Sequence, residues 1–264
     1  MADSELSADE RPAGRDRSVG LVTILAVVLV VGGVVGGTAY LLVGRDSSAF
    51  DVPAVTAERV GLTLGATAQP FSNRSCDVYV VPVDASSGAV AARLAGALPR
   101  RVPVEACATP SFRLDPSAVD HRREQLDAII VADQLARAFQ DTRGVAPATV
   151  LGVTALDMYS SAFASDPFDF GAAKQFRQQS QGFAVVSIAR MGPGEELFKR
   201  LETMAMRYLG LLHFGLPESS SPTSALVPSV RTLEDLDRLE PRFADPQPSS
   251  AELVAARNEL LSRK

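Results

Sequence analysis

The stretch Thr203 to His213 reads T-M-A-M-R-Y-L-G-L-L-H, and it carries the spacing most suggestive of chemistry. Apolar residues at Leu197, Leu201, Met204, Tyr208 and Leu211 recur at helical spacing, which predicts an amphipathic helix over 195–211 with one buried stripe. Gly210 and His213 take the places of the Gly and the third His of the pattern H-E-x-x-H-x-x-G-x-x-H. In that pattern two His one turn apart hold zinc, the Glu activates a water, and the Gly turns the chain so that the last His reaches the metal. Counting back from His213 puts Thr203 and Arg207 at the two helix-ligand positions and Met204 at the base position. A hydroxyl, a permanent cation and a thioether cannot perform those tasks. The frame of a zinc site is present without its chemistry, so the expectation is no catalytic residue, no metal and no cofactor.

Four flanking blocks carry a resemblance. They are V-L-G-V-T-A-L-D-M-Y (150–159), F-D-F-G-A-A (168–173), A-V-V-S-I-A-R-M (184–191) and T-L-E-D-L-D-R-L-E-P-R-F (232–243). In order and spacing they resemble the archaemetzincin family of metzincin-type zinc peptidases over roughly Val78 to Phe243. The departures fall on the metal positions. The family's methionine turn aligns near Val227, its cysteine after the third His aligns with Phe214, and its late Cys-x-x-Cys aligns with Ala244 and Gln247. The resemblance implies a metzincin-like α/β fold with a mixed, largely parallel sheet. It also makes Phe168, Phe170, Gly171 and Ala172 part of an antiparallel edge strand lining the cleft. Two functions follow as expectations. One is a pseudopeptidase that binds a protein or peptide partner at the cleft or acts as a scaffold. The other is a metallopeptidase with an atypical metal site, or one completed by another chain.

The elements that must position these residues can be read from periodicity. Strands are predicted at Val78–Val83, Arg101–Ala106, Thr149–Thr154 and Phe183–Ile188, and helices at Ala89–Leu98 and from Ser117 to Phe139. Alternating strands and helices give an α/β sandwich. Cys76 then precedes the first strand while Cys107 ends the second. In parallel neighbours that separation is roughly 15 Å, against the about 7 Å a disulfide tolerates, so the expected state is unpaired. Pro217–Pro228 is Ser/Pro-rich and predicted to need no fixed structure. His121, in D-H-R-R-E, reads as a solvated surface residue. His213 reads as a partly buried, hydrogen-bonded one. Arg207 has two readings, a plug paired with an acid or an open carboxylate binder.

Outside the domain proper (76–248), residues 1–17 read as a disordered cytoplasmic tail. Residues 18–44 lack any charge and suit a single transmembrane helix contacting membrane lipid. Residues 45–75 read as a tether and 249–264 as a C-terminal helix, begun by Ser249/Ser250 with Glu252. Arg11, Arg15 and Arg17 precede the span and only Arg45 immediately follows it. The bias places the N-terminus in the cytoplasm and the domain outside. A net charge of −5 gives no basic excess for nucleic acid.

Overall fold

The computed structural model describes residues 60–65, 76–139, 148–163, 168–176 and 181–263. The expected transmembrane helix at 18–44 and the tail at 1–17 lie outside these residues. Among the described residues no helix is long and apolar enough to cross a membrane.

The strand sequences form one central sheet because they are apolar on both faces. β1 (Val78–Pro82) sends Val78 and Val80 into one core cluster and Tyr79 and Val81 into the other. β5 (Thr149–Thr154) and β8 (Gln181–Ser187) are buried throughout and split in the same way. With β2 (Ala106–Ala108) and β7 (Gly171–Phe176) the order is β2-β1-β5-β8-β7. All neighbours are parallel except β7, which runs antiparallel to β8 at the edge. Helices α1 (Gly88–Ala97) and α3 (Gly194–Tyr208) share one core face, and α2 (Ala128–Phe139) fills the other. Strands buried on both faces require this double cover. At Gly152 a β-carbon would lie 2.8 Å from Leu135 Cδ1, so glycine lets α2 sit close to the sheet.

Several expectations differ from the structure, the edge strand among them: β7 begins only at Gly171, so Phe168 and Phe170 lie ahead of it. The predicted second strand at Arg101–Ala106 is instead turn and extended chain, and β2 begins only at Ala106. This shift of about five residues reverses the disulfide argument. Val78 now pairs with Ala106 and Tyr79 with Cys107, so Cys107 lies beside the start of β1 rather than its far end. Cys76 and Cys107 form a disulfide with Cα atoms 5.9 Å apart. The helix predicted from Ser117 starts only at Ala128, where Asp127 accepts from the Ile129 N–H. Before it come a 3-10 turn and the short strands β3 (Val119–Asp120) and β4 (Gln125–Asp127). These pair with each other and with β6 (Met158–Tyr159) in a second small sheet. Asp120 accepts from the N–H groups of Arg122 and Arg123, which turns the chain where a helix was expected.

The Ser/Pro-rich segment is also structured. Ser219 N–H donates to the Leu226 carbonyl at 2.8 Å, and the Ser224 hydroxyl donates to Phe243 O at 2.6 Å. Beyond α4 (Leu233–Arg238), the chain ends in α5 (Ser250–Ser262), opened by the Ser249/Glu252 capping box. Leu253 of α5 is buried in the core beside α3. At the other end, Leu64 forms a parallel bridge with Leu114, and Val60 is buried.

Candidate functional site

Helix α3 begins after Pro193 with Glu195 and Glu196 in its first turn, where carboxylates suit the positive end of the helix dipole. At about 100° per residue, Thr203, Arg207 and Gly210 fall within roughly 60° of arc, on one face. Each is committed to a structural contact there. The Thr203 hydroxyl, 1% exposed, donates back to the Lys199 carbonyl at 2.9 Å. Met204 is buried in the core shared with Leu236 and Phe243. Arg207 donates to three backbone carbonyls, those of Ala225 (3.3 Å), Val227 and Pro228 (3.1 Å). Glu218, half exposed at 3.9 Å, is a minor partner. Arg207 therefore closes this face, and carbonyls rather than an acid hold it. Gly210 allows the same segment to approach, since a β-carbon would lie 2.5 Å from Leu226 Cδ2 and 3.0 Å from Phe243 Cε1.

His213 points elsewhere. The chain does not turn at Gly210. It continues from α3 into a five-residue π-turn, Leu209–His213, and turns at Gly215 with φ 65°. The His213 ring is 3% exposed and shares a 3.1 Å hydrogen bond between Nδ1 and the Thr149 hydroxyl at the start of β5. It packs edge-to-face on Phe214 at 4.8 Å. Arg257 of α5 donates to the His213 carbonyl at 2.8 Å, a cation placed at the C-terminal end of a helical segment. Burial, with a smaller contribution from the Arg257 charge, pushes the imidazole pKa down to about 3. Burial also lowers Arg257, against the opposing pull of Asp77.

The structure thus brings Thr203, Arg207 and Gly210 to one face and turns His213 onto the sheet. This donor set does not fit a zinc centre. Arg207 cannot ligate a cation, Thr203 and Met204 are committed within the fold, and the imidazole engages Thr149. Among the described residues no group of three or more His, Cys, Asp or Glu could hold a metal ion. His121 is exposed, as expected.

The edge segment sits beside this helix. Phe168 stacks edge-to-face on Phe170 at 5.2 Å, and the Arg190 guanidinium lies 4.5 Å over the Phe168 ring. Arg190 is itself held by Asp157 at 2.9 and 2.5 Å. Phe170 is buried, and Ser187 N–H donates to its carbonyl at 2.9 Å. Gly171 is required here. A β-carbon would lie 2.6 Å from the Val185 carbonyl and 2.7 Å from the hydroxyl of Tyr208, the residue after Arg207. Burial raises the Tyr208 pKa, and nearby Asp169 raises it further. Hydrogen-bonded pairs alternate along an antiparallel ladder. With Phe170 bonded to Ser187, Ala172 and Lys174 also bond inward to β8. The N–H groups of Gly171, Ala173 and Gln175 then point to the outer edge. Asp169 Oδ1 already takes that of Gly171 at 3.0 Å.

Sequence reasoning missed Thr149, Arg257 and the 225–228 carbonyls. Only Arg257 left a signal, as a cation on the same helical stripe as Leu253 and Leu260. The contacts of Thr149 and of residues 225–228 span the fold and leave no local pattern.

No family model and no curated protein matches the chain. Solved structures do. Archaemetzincin from Methanopyrus kandleri is similar at 23% identity and TM-score 0.51, covering 73% of this chain and 100% of that one. A zinc-dependent peptidase from Methanocorpusculum labreanum follows at 18% identity and TM-score 0.52, covering 69% and 99%. Archaemetzincin from Archaeoglobus fulgidus, complexed with malonate, stands at 20% identity and TM-score 0.49, covering 68% and 98%. At these identities the likeness is one of fold, and on the first two structures this mixed α/β domain is archaemetzincin-like in fold.

Proposed function

We propose that this chain is a membrane-anchored, archaemetzincin-like pseudopeptidase that works outside the cytoplasm by holding an extended segment of a protein partner. One observation carries the loss of catalysis. Arg207, at the second ligand position, spends its guanidinium on the carbonyls of Ala225, Val227 and Pro228. A fixed positive charge in the middle of a zinc site would repel the ion, and releasing it would leave three carbonyls without their donor. Binding is supported by the outward N–H groups of Ala173 and Gln175, which can pair with an extended chain without any metal. The exterior location is supported by the Arg bias around residues 18–44 and by the Cys76–Cys107 disulfide, a bond that persists in oxidising compartments.

The test is elemental analysis and peptide hydrolysis with the purified full-length chain. The expected outcome is well under one zinc per chain and no cleavage of a mixed peptide library. Near-stoichiometric zinc, lost in His213→Ala together with a measurable hydrolysis rate, would overturn the reading.

A further inference from the structure

Away from both the Arg207 face and the β7 edge, the outer sides of α1 and α3 enclose an open groove of about 670 Å³. Four cations line it (Arg93, Arg100, Arg101 and Lys199) against two carboxylates, Glu195 and Glu202. Both carboxylates are already neutralised. Arg93 donates to Glu195 at 2.6 Å, and Arg101 grips Glu202 with two bonds of 3.0 Å. Glu202 is buried, so Arg101 is fixed as its counter-ion and is not available to a ligand. Arg93 is likewise held, with its guanidinium 3.8 Å above the Phe198 ring.

Arg100 and Lys199 remain, one at the end of α1 and the other on α3. Among the described residues neither has a side-chain bond to an acid. Lys199 influences Asp237, but that carboxylate is tied to Arg200 at 2.6 and 2.7 Å. The groove therefore carries an excess of two positive charges on a chain whose formal charge is −5. The rest of the lining is apolar, made by Ala97, Phe198 and Pro241.

We propose that this groove docks an acidic peptide segment of a partner protein, with carboxylates meeting Arg100 and Lys199 and an apolar side chain resting on Ala97 and Pro241. Charge complementarity selects the occupant, because the groove's excess of two positive charges attracts an acidic segment that a chain of formal charge −5 otherwise repels. The site is independent of the edge strand, so it stands or falls separately from the proposed capture at β7.

The experiment uses the full-length chain in nanodiscs of neutral lipid and a fluorescein-labelled peptide of alternating glutamate and leucine, read by anisotropy. Binding is expected to weaken as salt rises, since the contacts lie at the surface. The double change Arg100→Glu and Lys199→Glu should weaken it by about tenfold or more, whereas Arg122→Glu in the exposed β3–β4 turn should not. Arg93 and Arg101 are left intact so that Glu195 and the buried Glu202 keep their partners. Ala173→Pro, which alters only the edge, should leave this binding unchanged. Absence of binding, or equal binding by the double variant, overturns the proposal. So does displacement of the peptide by inorganic phosphate at comparable concentration, or preferential capture of anionic nanodiscs, since either would assign the groove to a different ligand.

Discussion

At Arg207 a single side chain does what a bound cation does in a metal site, gathering oxygens from a separate stretch of chain. Its three acceptors, the carbonyls of Ala225, Val227 and Pro228, come from the end of the Ser/Pro-rich segment, where Ala225 and Leu226 are buried in the core. Arg207→Ala should cost about 1–3 kcal/mol, because partly buried acceptors lose a charged donor. Arg207→Lys should recover only part of that loss, since one ammonium cannot reproduce a planar fork reaching three carbonyls. Denaturant unfolding measures the loss, and hydrogen exchange should show faster opening of residues 223–228 in the alanine variant. A full rescue by lysine would mean that charge alone matters. His213 gives a second prediction at this scale, through pH. Its folded pKa of about 3 lies below the ordinary 6.5. Between those values the unfolded chain binds the proton and the folded chain does not, so stability is complete above pH 6.5 and falls as pH drops. The slope contributed is at most about 1.4 kcal/mol per pH unit. Replacing His213 with Gln, which can still bond Thr149, should flatten the stability profile between pH 6.5 and 5, above the range where most carboxylates titrate. Parallel profiles for the two proteins would show that the imidazole binds its proton equally in the folded and unfolded chain, so that burial does not shift it.

Among the elements, β7 is where register decides which N–H groups an extended partner could reach. Ala172 bonds inward to β8 and Ala173 points outward, so proline has opposite consequences at adjacent residues. Ala172→Pro should break the ladder and lower the melting temperature. Ala173→Pro should leave melting nearly unchanged while abolishing crosslinks from an edge residue to a partner in cells. If both variants melt alike and both still capture the partner, the edge is not the binding surface. This assignment was beyond the sequence, because a side-chain pattern marks the faces of a strand and not which of its N–H groups are spoken for. The neighbouring elements were easier to see. β5 and β8 have apolar centres, V-L-G-V and G-F-A-V-V, as suits buried parallel strands, and α3 repeats its apolar residues at helical spacing. The capping box at Ser249 and Glu252 marked α5 before its docking was known. Residues 117–127 failed because charged residues tolerate helix and hairpin alike, and the choice was made by Asp120 bonding to its own turn. The site was half legible for the same reason. Sequence spacing placed Thr203 and Arg207 on one face, but the π-turn that carries His213 away from them depends on Leu212 packing against Gly182, whose β-carbon would lie 2.4 Å from Leu212 Cβ.

For the whole molecule, the disulfide ties redox state to location. Cys76 lies just ahead of β1 and Cys107 in the edge strand β2, so the bond closes a loop with a sequence separation of 31 across the side of the sheet where the chain enters. Closing a loop of that length stabilises the fold by about 3–4 kcal/mol on the chain-entropy account. Such a bond contributes only where thiols are not kept reduced, which is the condition outside the cytoplasm. The proposed span at 18–44 would put the domain on the same side for a different physical reason, since arginines retained before such a span leave the following domain to be exported. The two arguments can be tested together in intact cells, or in spheroplasts where an outer barrier exists. Protease added outside should digest the domain and spare the N-terminal tail, and thiol labelling after denaturation without reductant should find neither Cys76 nor Cys107 free. A protected domain with two free thiols would place it in the cytoplasm. A protected domain with its disulfide intact would separate the arguments, because a bond formed in a reducing compartment points to redox control of β2 rather than to export.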